Sequence, residues 1–335
     1  MKIAFFRHEL VLALLLVAEI VFFQSTGRNF GTPDNLANLV RHSVEIGLLA
    51  LALLPVILTG GIDLSVGSVL GLSAVIFGKL WRDAGLDWPL AAAATLGFGA
   101  LAGGFNATLI TWFRLPPLIV TLGTYSLFRG LAEALTHGTD AFTDFPPGFL
   151  NVGTGRAAGV PVQAWILGGV ALALGLLVHR TTFGRSFRAI GFSADGARYA
   201  GLPVARRLFL VYVLAGLIAA LASLTYTARF GTAKADAGTG YELMAITAVV
   251  LGGTSIFGGI GSVPGTLLGV AALAVLTNGL GRVPATMSYA AELSGLLTGG
   301  LLLVALTLGS ASKWLAERRS VRSSFRSIPV VVTDL

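Results

Sequence analysis

The sequence has 335 residues, of which 55% are hydrophobic and 12% are charged, and its formal net charge is +7. This composition is more apolar than a soluble core needs and indicates a polytopic membrane protein. The chain has no cysteine, which excludes a disulfide scaffold and a thiolate metal site, and four scattered histidines, which predict no metal cluster: His8, His42, His137 and His179. The basic residues lie mostly between apolar runs and therefore predict membrane orientation, with no nucleic-acid role.

Ten apolar segments predict an all-α membrane protein with about ten transmembrane helices, some of them interrupted by glycine. The first segment, 10–23, resembles the core of a signal peptide, but no small-x-small cleavage site follows it, so we expect a retained span. A helical span needs roughly 17 to 25 residues. On that basis the other candidates are 43–59, 65–82, 88–113, 116–135, 163–179, 207–228, 240–256, 262–281 and 286–309.

The distribution of Lys and Arg predicts that both termini are cytoplasmic. With the N-terminus inside, the inner segments hold fourteen basic residues and the outer segments hold eight, as the positive-inside rule requires. The excess comes from the inner loop 180–207 and from the C-terminal tail. We therefore predict a transmembrane permease domain over 1–311 and a basic cytoplasmic tail over 312–335.

The stretch 60–68 (Gly-Gly-Ile-Asp-Leu-Ser-Val-Gly-Ser) interrupts a continuous apolar run. Its glycines Gly60 and Gly61 predict a hinge in the backbone. Asp63 and Ser65 place a carboxylate and a hydroxyl at or near membrane depth. Asp63 either caps the helix that follows or lines a path through the membrane, and the two roles are compatible.

Ionisable groups inside spans are costly and each of them needs a reason. Arg129 and Glu133 are four residues apart, so we expect them to neutralise each other on one helical face. We expect Glu19 and Glu45 to pair or to face polar contacts within the bundle. Glycines at two places predict close helix packing; they are Gly99, Gly103 and Gly104, and Gly295, Gly299 and Gly300.

The outer loop 136–162 carries two acids, several aromatic residues and paired prolines in a segment too polar to span. We expect it to fold back over the outer surface. It either receives an extracytoplasmic partner or caps a cavity, or it is a stiff connecting link.

The inner loop 180–207 carries the signals of a short helix. Ser193 is a suitable N-cap, Asp195 and Arg198 suit the two ends of the helix dipole, and Gly201 suits the C-terminal cap. So short a helix needs a surface to lie on, which favours docking of a cytoplasmic protein. The alternative is an ordinary basic connector held by lipid phosphates.

A second glycine break spans 251–265 and contains Gly252 and Gly253. Two glycine-interrupted apolar segments are typical of a transport site, although these two do not form a clean inverted repeat. We therefore predict a set of residues that line a translocation path or form its hinge. The set consists of Gly60, Gly61, Asp63, Ser65, Asn106, Thr121, Tyr125, Gly252, Gly253, Asn278 and Glu292.

No catalytic or nucleotide-binding motif occurs in the sequence. The chain is therefore predicted to be a non-catalytic subunit without a cofactor or metal, so any pumping must be driven from outside it. Three interpretations stay open: a channel-forming subunit driven by a separate ATPase, a carrier driven by an ion gradient, and a membrane scaffold that transports nothing. The capped basic loop favours the first.

Four stretches resemble the permease subunits of ribose-type carbohydrate ABC importers. They are 60–68, 122–124 (Leu-Gly-Thr), 183–191 (Phe-Gly-Arg to Ala-Ile-Gly) and 245–255 (Ala-Ile-Thr-Ala-Val-Val-Leu-Gly-Gly-Thr-Ser). Within that family, 15–21, 141–145 and 226–233 look most like the autoinducer-2 permeases and the related rhamnose permeases.

The resemblance implies a subunit of the bacterial inner membrane that forms a path for a sugar or sugar-like molecule. Its implied partners are a cytoplasmic ATP-binding subunit, a periplasmic solute-binding protein, a second permease chain and the membrane lipid. The residues predicted to couple to the ATPase are Gly184, Arg185, Gly191, Ser193, Asp195, Gly196, Arg198 and Gly201.

Overall fold

The computed structural model describes residues 2–284, 289–290, 292–304 and 307, and side chains from residue 9 onward. The tail predicted at 312–335 and part of the tenth predicted span lie outside these residues. The elements are α1 (Lys2–Thr26), α2 (Pro33–Leu58), α3 (Val66–Arg82), α4 (Trp88–Thr111), α5 (Pro117–Leu135), α6 (Pro147–Thr154), β1 (Arg156–Ala157), β2 (Val160–Pro161), α7 (Val162–Arg180), α8 (Thr182–Phe192), α9 (Ala194–Tyr199), α10 (Val204–Phe230), α11 (Tyr241–Leu251) and α12 (Val263–Leu280). A further apolar helix, α13, covers Glu292–Val304.

Seven of the described helices are long and apolar enough to cross a membrane: α1, α2, α4, α5, α7, α10 and α12. Helices also occupy the other predicted spans, but they are shorter. α3 has 17 residues. α11 has only 11 residues, and at ~1.5 Å per residue it reaches about half of a ~30 Å hydrocarbon core. The structure thus supports a many-helix membrane bundle with seven full-length spans by this measure, and the predicted number of ten is not established.

Helix α2 lies at the centre of the bundle. Thr32 caps its start by accepting a hydrogen bond from the Asn35 backbone N–H. From Gly47 to Leu58 every residue is buried, as expected for a helix that is apolar around its whole circumference. α2 packs against α7, α10, α11 and α12, so its C-terminal end is held from all sides.

Helices α4 and α10 pack closely because glycines line their contact. A Cβ atom on Gly99 would lie 2.5 Å from the Gly216 carbonyl oxygen, and one on Gly103 would overlap the Tyr212 carbonyl oxygen. The packing predicted for Gly99 and Gly103 is therefore confirmed. For Gly295, Gly299 and Gly300 no described atom lies within 4 Å of a Cβ atom, so that part of the prediction is not confirmed by the described residues.

The helices run between two ends of the bundle, one formed by α8 and α9 and the other by α6 and the β1–β2 hairpin. The loop 136–162, which was predicted to fold over the outer surface, contains α6 and this hairpin and covers the end that they form. Phe142 pairs with Ala233 through two backbone hydrogen bonds of 3.0 and 2.9 Å. Phe145 and Phe149 pack on Phe77 of α3, with ring centroids 5.3 and 4.5 Å away, so this loop is anchored by buried aromatic rings.

The predicted pair of Arg129 with Glu133 is wrong. The Arg129 guanidinium donates to the carbonyl oxygens of Ala235, Ala237 and Gly67, which lie in the loop after α10 and at the start of α3. Glu133 is exposed. Backbone carbonyl groups thus accept from both terminal nitrogens of the guanidinium, while none of the described residues accepts from its buried Nε. This arrangement ties α5 to two other segments.

Candidate functional site

The first glycine break separates α2 from α3 and lies at the α8–α9 end of the bundle. α2 ends at Leu58, and Gly60 has a φ of 82°, a left-handed conformation that glycine adopts without strain. α3 begins only after Ser65. The backbone therefore turns sharply between two helices that run in opposite directions.

A chain of buried hydrogen bonds holds this break. The Asp63 carboxylate accepts from the Ser65 N–H at 2.8 Å and from the Ser65 hydroxyl at 2.6 Å. The Asn106 side chain of α4 donates to the same Ser65 hydroxyl at 2.8 Å, and Thr121 of α5 donates to the Ile62 carbonyl at 3.1 Å. Asp63 thus holds Ser65, the residue immediately before α3, through two hydrogen bonds, and its roles as a helix cap and in a path both stay predictions.

Tyr212 of α10 joins this cluster and was missed by the sequence analysis. Its ring is 1% exposed and its hydroxyl is buried against Gly61, where a Cβ atom would lie 2.5 Å from the phenolic oxygen. None of the described residues hydrogen-bonds to this hydroxyl or to the Asn106 side-chain oxygen. A tyrosine near the start of an otherwise apolar span was the signal available in the sequence.

The second glycine break connects α11 to α12 and touches the first. Gly258 and Gly259 have φ values of 87° and 80°. The Gly259 N–H donates to the Leu58 carbonyl at 2.9 Å, which satisfies an acceptor at the C-terminal end of α2. Gly252 and Gly265, near the two ends of this break, pack against each other so closely that a side chain on either would overlap the backbone of the other. The two breaks predicted separately thus meet at one place.

The C-terminal end of α8 lies on this junction. A Cβ atom on Gly191 would overlap the carbonyl oxygen of Leu58, the last residue of α2 before the first break, and the nitrogen of Gly259 in the second break. The Phe192 ring packs against Gly259. Gly191 was predicted to couple to an ATPase, and the structure places it in contact with both breaks.

Arg188 of α8 fastens this helix to the second break. Its guanidinium donates to the Val178 carbonyl at 3.0 Å and to the Gly261 carbonyl at 3.4 Å, and partial burial lowers its pKa from the ordinary value. It also lies 3.2 Å from His179 Nδ1, while the Val263 N–H lies 3.3 Å from His179 Nε2. A neutral imidazole accepts through one nitrogen only, so one of these two contacts is a hydrogen bond at a time.

The short helix predicted in the inner loop is present as α9. The Ser193 hydroxyl accepts from the Gly196 N–H at 3.0 Å, and Asp195 and Arg198 form an exposed ion pair of 2.8 Å. Gly201 ends the helix with a φ of 79°, as expected for a C-terminal cap. Ala197 packs inward, whereas Tyr199 is 92% exposed.

Helix α8 was not predicted as a separate element. Thr181 caps its start, and Gly184 sits against the Val178 backbone. Its buried face contains Phe187 and Ile190, while Arg185 is exposed. The helical spacing of these apolar residues was a usable signal.

Not every predicted path residue lies at this junction. Gly60, Gly61, Asp63, Ser65, Asn106 and Thr121 surround the first break, and the half-buried Tyr125 lies one helical turn after Thr121. Asn278 is instead near the other end, where its side-chain amide pairs reciprocally with that of Asn35 at 2.9 and 3.2 Å. Of the eleven predicted residues, the structure thus groups six around the first break, has Tyr125 one turn beyond them and has Gly252 and Gly253 in the second break. Asn278 lies at the other end, and Glu292 is exposed on α13.

Comparison with known proteins identifies the family. Residues 35–306 match the family described as branched-chain amino acid transport system / permease component. The chain is 37% identical over 328 residues to the autoinducer 2 import system permease protein LsrD of Yersinia pseudotuberculosis serotype O:1b, covering 94% of this chain and 97% of the relative. It is 38% identical over 324 residues to LsrD of Yersinia enterocolitica serotype O:8, covering 93% and 96%.

One solved structure is also similar. It is described as a metal-chelate type ABC transporter in an inward-facing conformation. The TM-score is 0.48 at 18% sequence identity, with 88% of this chain and 98% of that chain covered.

Proposed function

This chain belongs to the permease family of branched-chain amino acid transport systems and their relatives, and from that premise we propose that it imports autoinducer-2 or a chemically similar sugar. The chain is a permease component of an ABC importer. The identity of 37% over 94% of its length to LsrD supports the substrate class. No ATPase motif occurs in the sequence, so the proposal places ATP hydrolysis on a separate subunit.

The contact of Gly191 with both glycine breaks is the observation that supports the mechanism. We place α8 and α9 at the cytoplasmic surface, with both termini on that side, in the bacterial inner membrane. An ATPase that moves α9 would move α8 with it, because Ala197 of α9 packs against Ile190 of α8. The displacement would reach Leu58 and Gly259 directly, and the glycines there can absorb a change in backbone angles.

The proposed assembly contains this permease chain, a second permease chain, a cytoplasmic ATP-binding subunit and a periplasmic solute-binding protein. The residues proposed to line the path or act as its hinge are those around the first break. The ATPase would contact the exposed residues of α8 and α9, including Arg185, Asp195, Gly196, Arg198 and Tyr199.

Reconstituted vesicles test this proposal. Vesicles that hold the complete assembly should take up labelled autoinducer-2 only with ATP inside and binding protein outside. Uptake by the permease chains alone under an ion gradient would instead identify a secondary carrier. No flux under any condition would identify a scaffold.

A bulky substitution tests the docking surface. Gly196→Trp places an indole on the exposed side of α9 and should uncouple ATP hydrolysis from uptake while leaving membrane insertion intact. Tyr199→Ala removes an exposed side chain without adding bulk, and it should weaken the coupling of ATP hydrolysis to uptake. The matched control is Gly168→Trp in α7, where a Cβ atom meets no described atom within 4 Å. Normal uptake with Gly196→Trp would contradict the docking role.

A further inference from the structure

A pocket of about 270 Å³ opens at the end of the bundle opposite α8 and α9. A liquid water occupies ~30 Å³, so the pocket has room for a group several times larger. It lies between α2, α6 and the last turn of α10. The lining residues are Asn38, Arg41, His42, Gly153, Thr154, Arg229 and Phe230.

Arg229 is the deepest charged group in this pocket. Its Nε donates to Glu45 at 2.8 Å, and the two side chains are 8% and 0% exposed. Its Nη1 lies 2.7 Å from His42 Nδ1. Its Nη2 is buried and makes no hydrogen bond of good geometry to a described residue, and the Tyr241 hydroxyl is a polar neighbour of the same guanidinium.

Arg41 supplies a second guanidinium with spare capacity. It donates to the Thr154 carbonyl at 2.9 Å and to the Asn38 side-chain oxygen at 3.3 Å. Its Nε is also buried without a partner in the described part of the chain. Because its partners are neutral and Glu45 offsets Arg229 alone, the pocket retains a positive charge.

The chemistry of the lining selects the ligand. Its lining holds no Asp or Glu, so hydrogen-bond donors predominate. The Arg229 guanidinium lies over one face of the Phe230 ring, 4.1 Å from the ring centroid, which holds the guanidinium at the pocket wall. Two guanidinium groups with unused N–H donors match the oxygens of a phosphate, whose bidentate recognition by arginine is common.

We propose that this pocket binds a phosphate group, carried either by an anionic lipid headgroup or by a free phosphate ion. The guanidinium groups of Arg229 and Arg41, which both line the pocket, donate to its oxygens. A bound phosphate also offsets the positive charge that the pocket retains. The site is separate from the glycine breaks and does not depend on the cargo of the importer.

Thermal unfolding of the full chain in a maltoside detergent, which contains no phosphate, tests the proposal. The wild-type Tm should rise with sodium phosphate, relative to sodium chloride at equal ionic strength, or with added phosphatidylglycerol, relative to diacylglycerol. A response to inorganic phosphate identifies the free ion as a ligand. A response to phosphatidylglycerol alone identifies the lipid headgroup.

Substitution of Arg41 localises the response. Arg41→Gln removes one charged donor, so the half-saturating concentration should rise by about tenfold to a hundredfold. The matched control is Arg156→Gln, at the same end of the bundle but outside the pocket, and it should respond like wild type. Equal responses of these two variants, or a wild-type Tm that responds to neither probe, would overturn the proposal.

The double variant Glu45→Gln with Arg229→Gln provides a second route if Arg41→Gln does not fold. It removes the buried positive charge without leaving Glu45 as an unpaired carboxylate. We expect it to lose the response as well. A full wild-type response in the double variant would show that Arg229 does not hold the phosphate.

Discussion

The two glycine breaks meet at Leu58, yet they are held in different ways. The first is fixed by side chains within the bundle, through the buried hydrogen bonds that join Asp63, Ser65 and Asn106. The second is fixed mainly by its backbone and by α7 and α8, through the contacts of Gly259, Arg188 and His179. One break thus belongs to the interior of the bundle and the other belongs to its α8–α9 surface.

This difference assigns the breaks different mechanical roles. A movement of α8 reaches the second break through Arg188 as well as through Gly191, whereas the α8 contact nearest to the first break is that of Gly191 with Leu58 at the end of α2. The buried hydrogen bonds around Asp63 would hold the backbone of the first break in place. We therefore expect the second break to respond first when α8 moves.

The largest effect is expected from Gly191→Val, which removes the contact that unites the breaks with α8. Its side chain would overlap the backbone of both breaks, and overpacking of this kind costs about 1 to 3 kcal/mol. ATP-driven uptake in reconstituted vesicles should be almost abolished. The control is Gly175→Ala in α7, which has open space around it. Wild-type uptake by Gly191→Val would show that Gly191 does not link α8 mechanically to the two breaks.

The next largest effect is expected from Arg188→Gln, which loosens the second break alone. Loss of hydrogen bonds from a charged donor should lower the free energy of unfolding by about 1.5 to 3 kcal/mol, as measured by denaturant titration in mixed micelles. Arg185→Gln on the exposed face of the same helix should change stability by less than about 0.5 kcal/mol. Equal effects of the two substitutions would mean that α8 is not fastened through Arg188.

A substitution series at Asp63 examines the first break. Asp63→Ala leaves the Ser65 N–H and hydroxyl without their acceptor, and should cost about 1 to 3 kcal/mol in the same unfolding measurement. Asp63→Asn retains an acceptor oxygen and should cost about 1 kcal/mol or less, since asparagine also serves well at helix starts. If Asn is as damaging as Ala, the negative charge itself is required, as it would be in a path for cargo.

The smallest effect is expected from Asn278→Ala, far from both breaks. It removes the reciprocal amide pair with Asn35, which should lower the unfolding free energy by about 0.5 to 1.5 kcal/mol. The uptake rate per folded transporter should not change. A selective loss of uptake would return Asn278 to the translocation path and would extend the functional region to the other end of the bundle.

Composition and apolar periodicity predicted much of this fold. The helices lie where the apolar runs predicted them, and the cap residues Ser193 and Gly201 located α9. Helix length was less predictable: α11 ends at Leu251 because the glycines that follow adopt turns, although the surrounding residues are apolar enough for a longer span.

The tertiary partners of single polar residues could not be predicted from local spacing. Arg129 was expected to pair with Glu133 on its own helix. Its guanidinium instead donates to the carbonyl groups of Ala235 and Ala237, which are more than one hundred residues away in the sequence. The contact between Gly259 and Leu58 is likewise long-range. Sequence identified both glycine breaks as important, whereas only the fold brings them together.

The ion pair between Glu45 and Arg229 has a consequence for biosynthesis. The two residues are 184 positions apart, so at ~5 to 20 residues per second the ribosome needs roughly 10 to 40 s to reach the second after the first. An unpaired charged side chain within a span is unfavourable. Until α10 is synthesised, the nascent α2 therefore carries Glu45 without the partner that it has in the folded bundle.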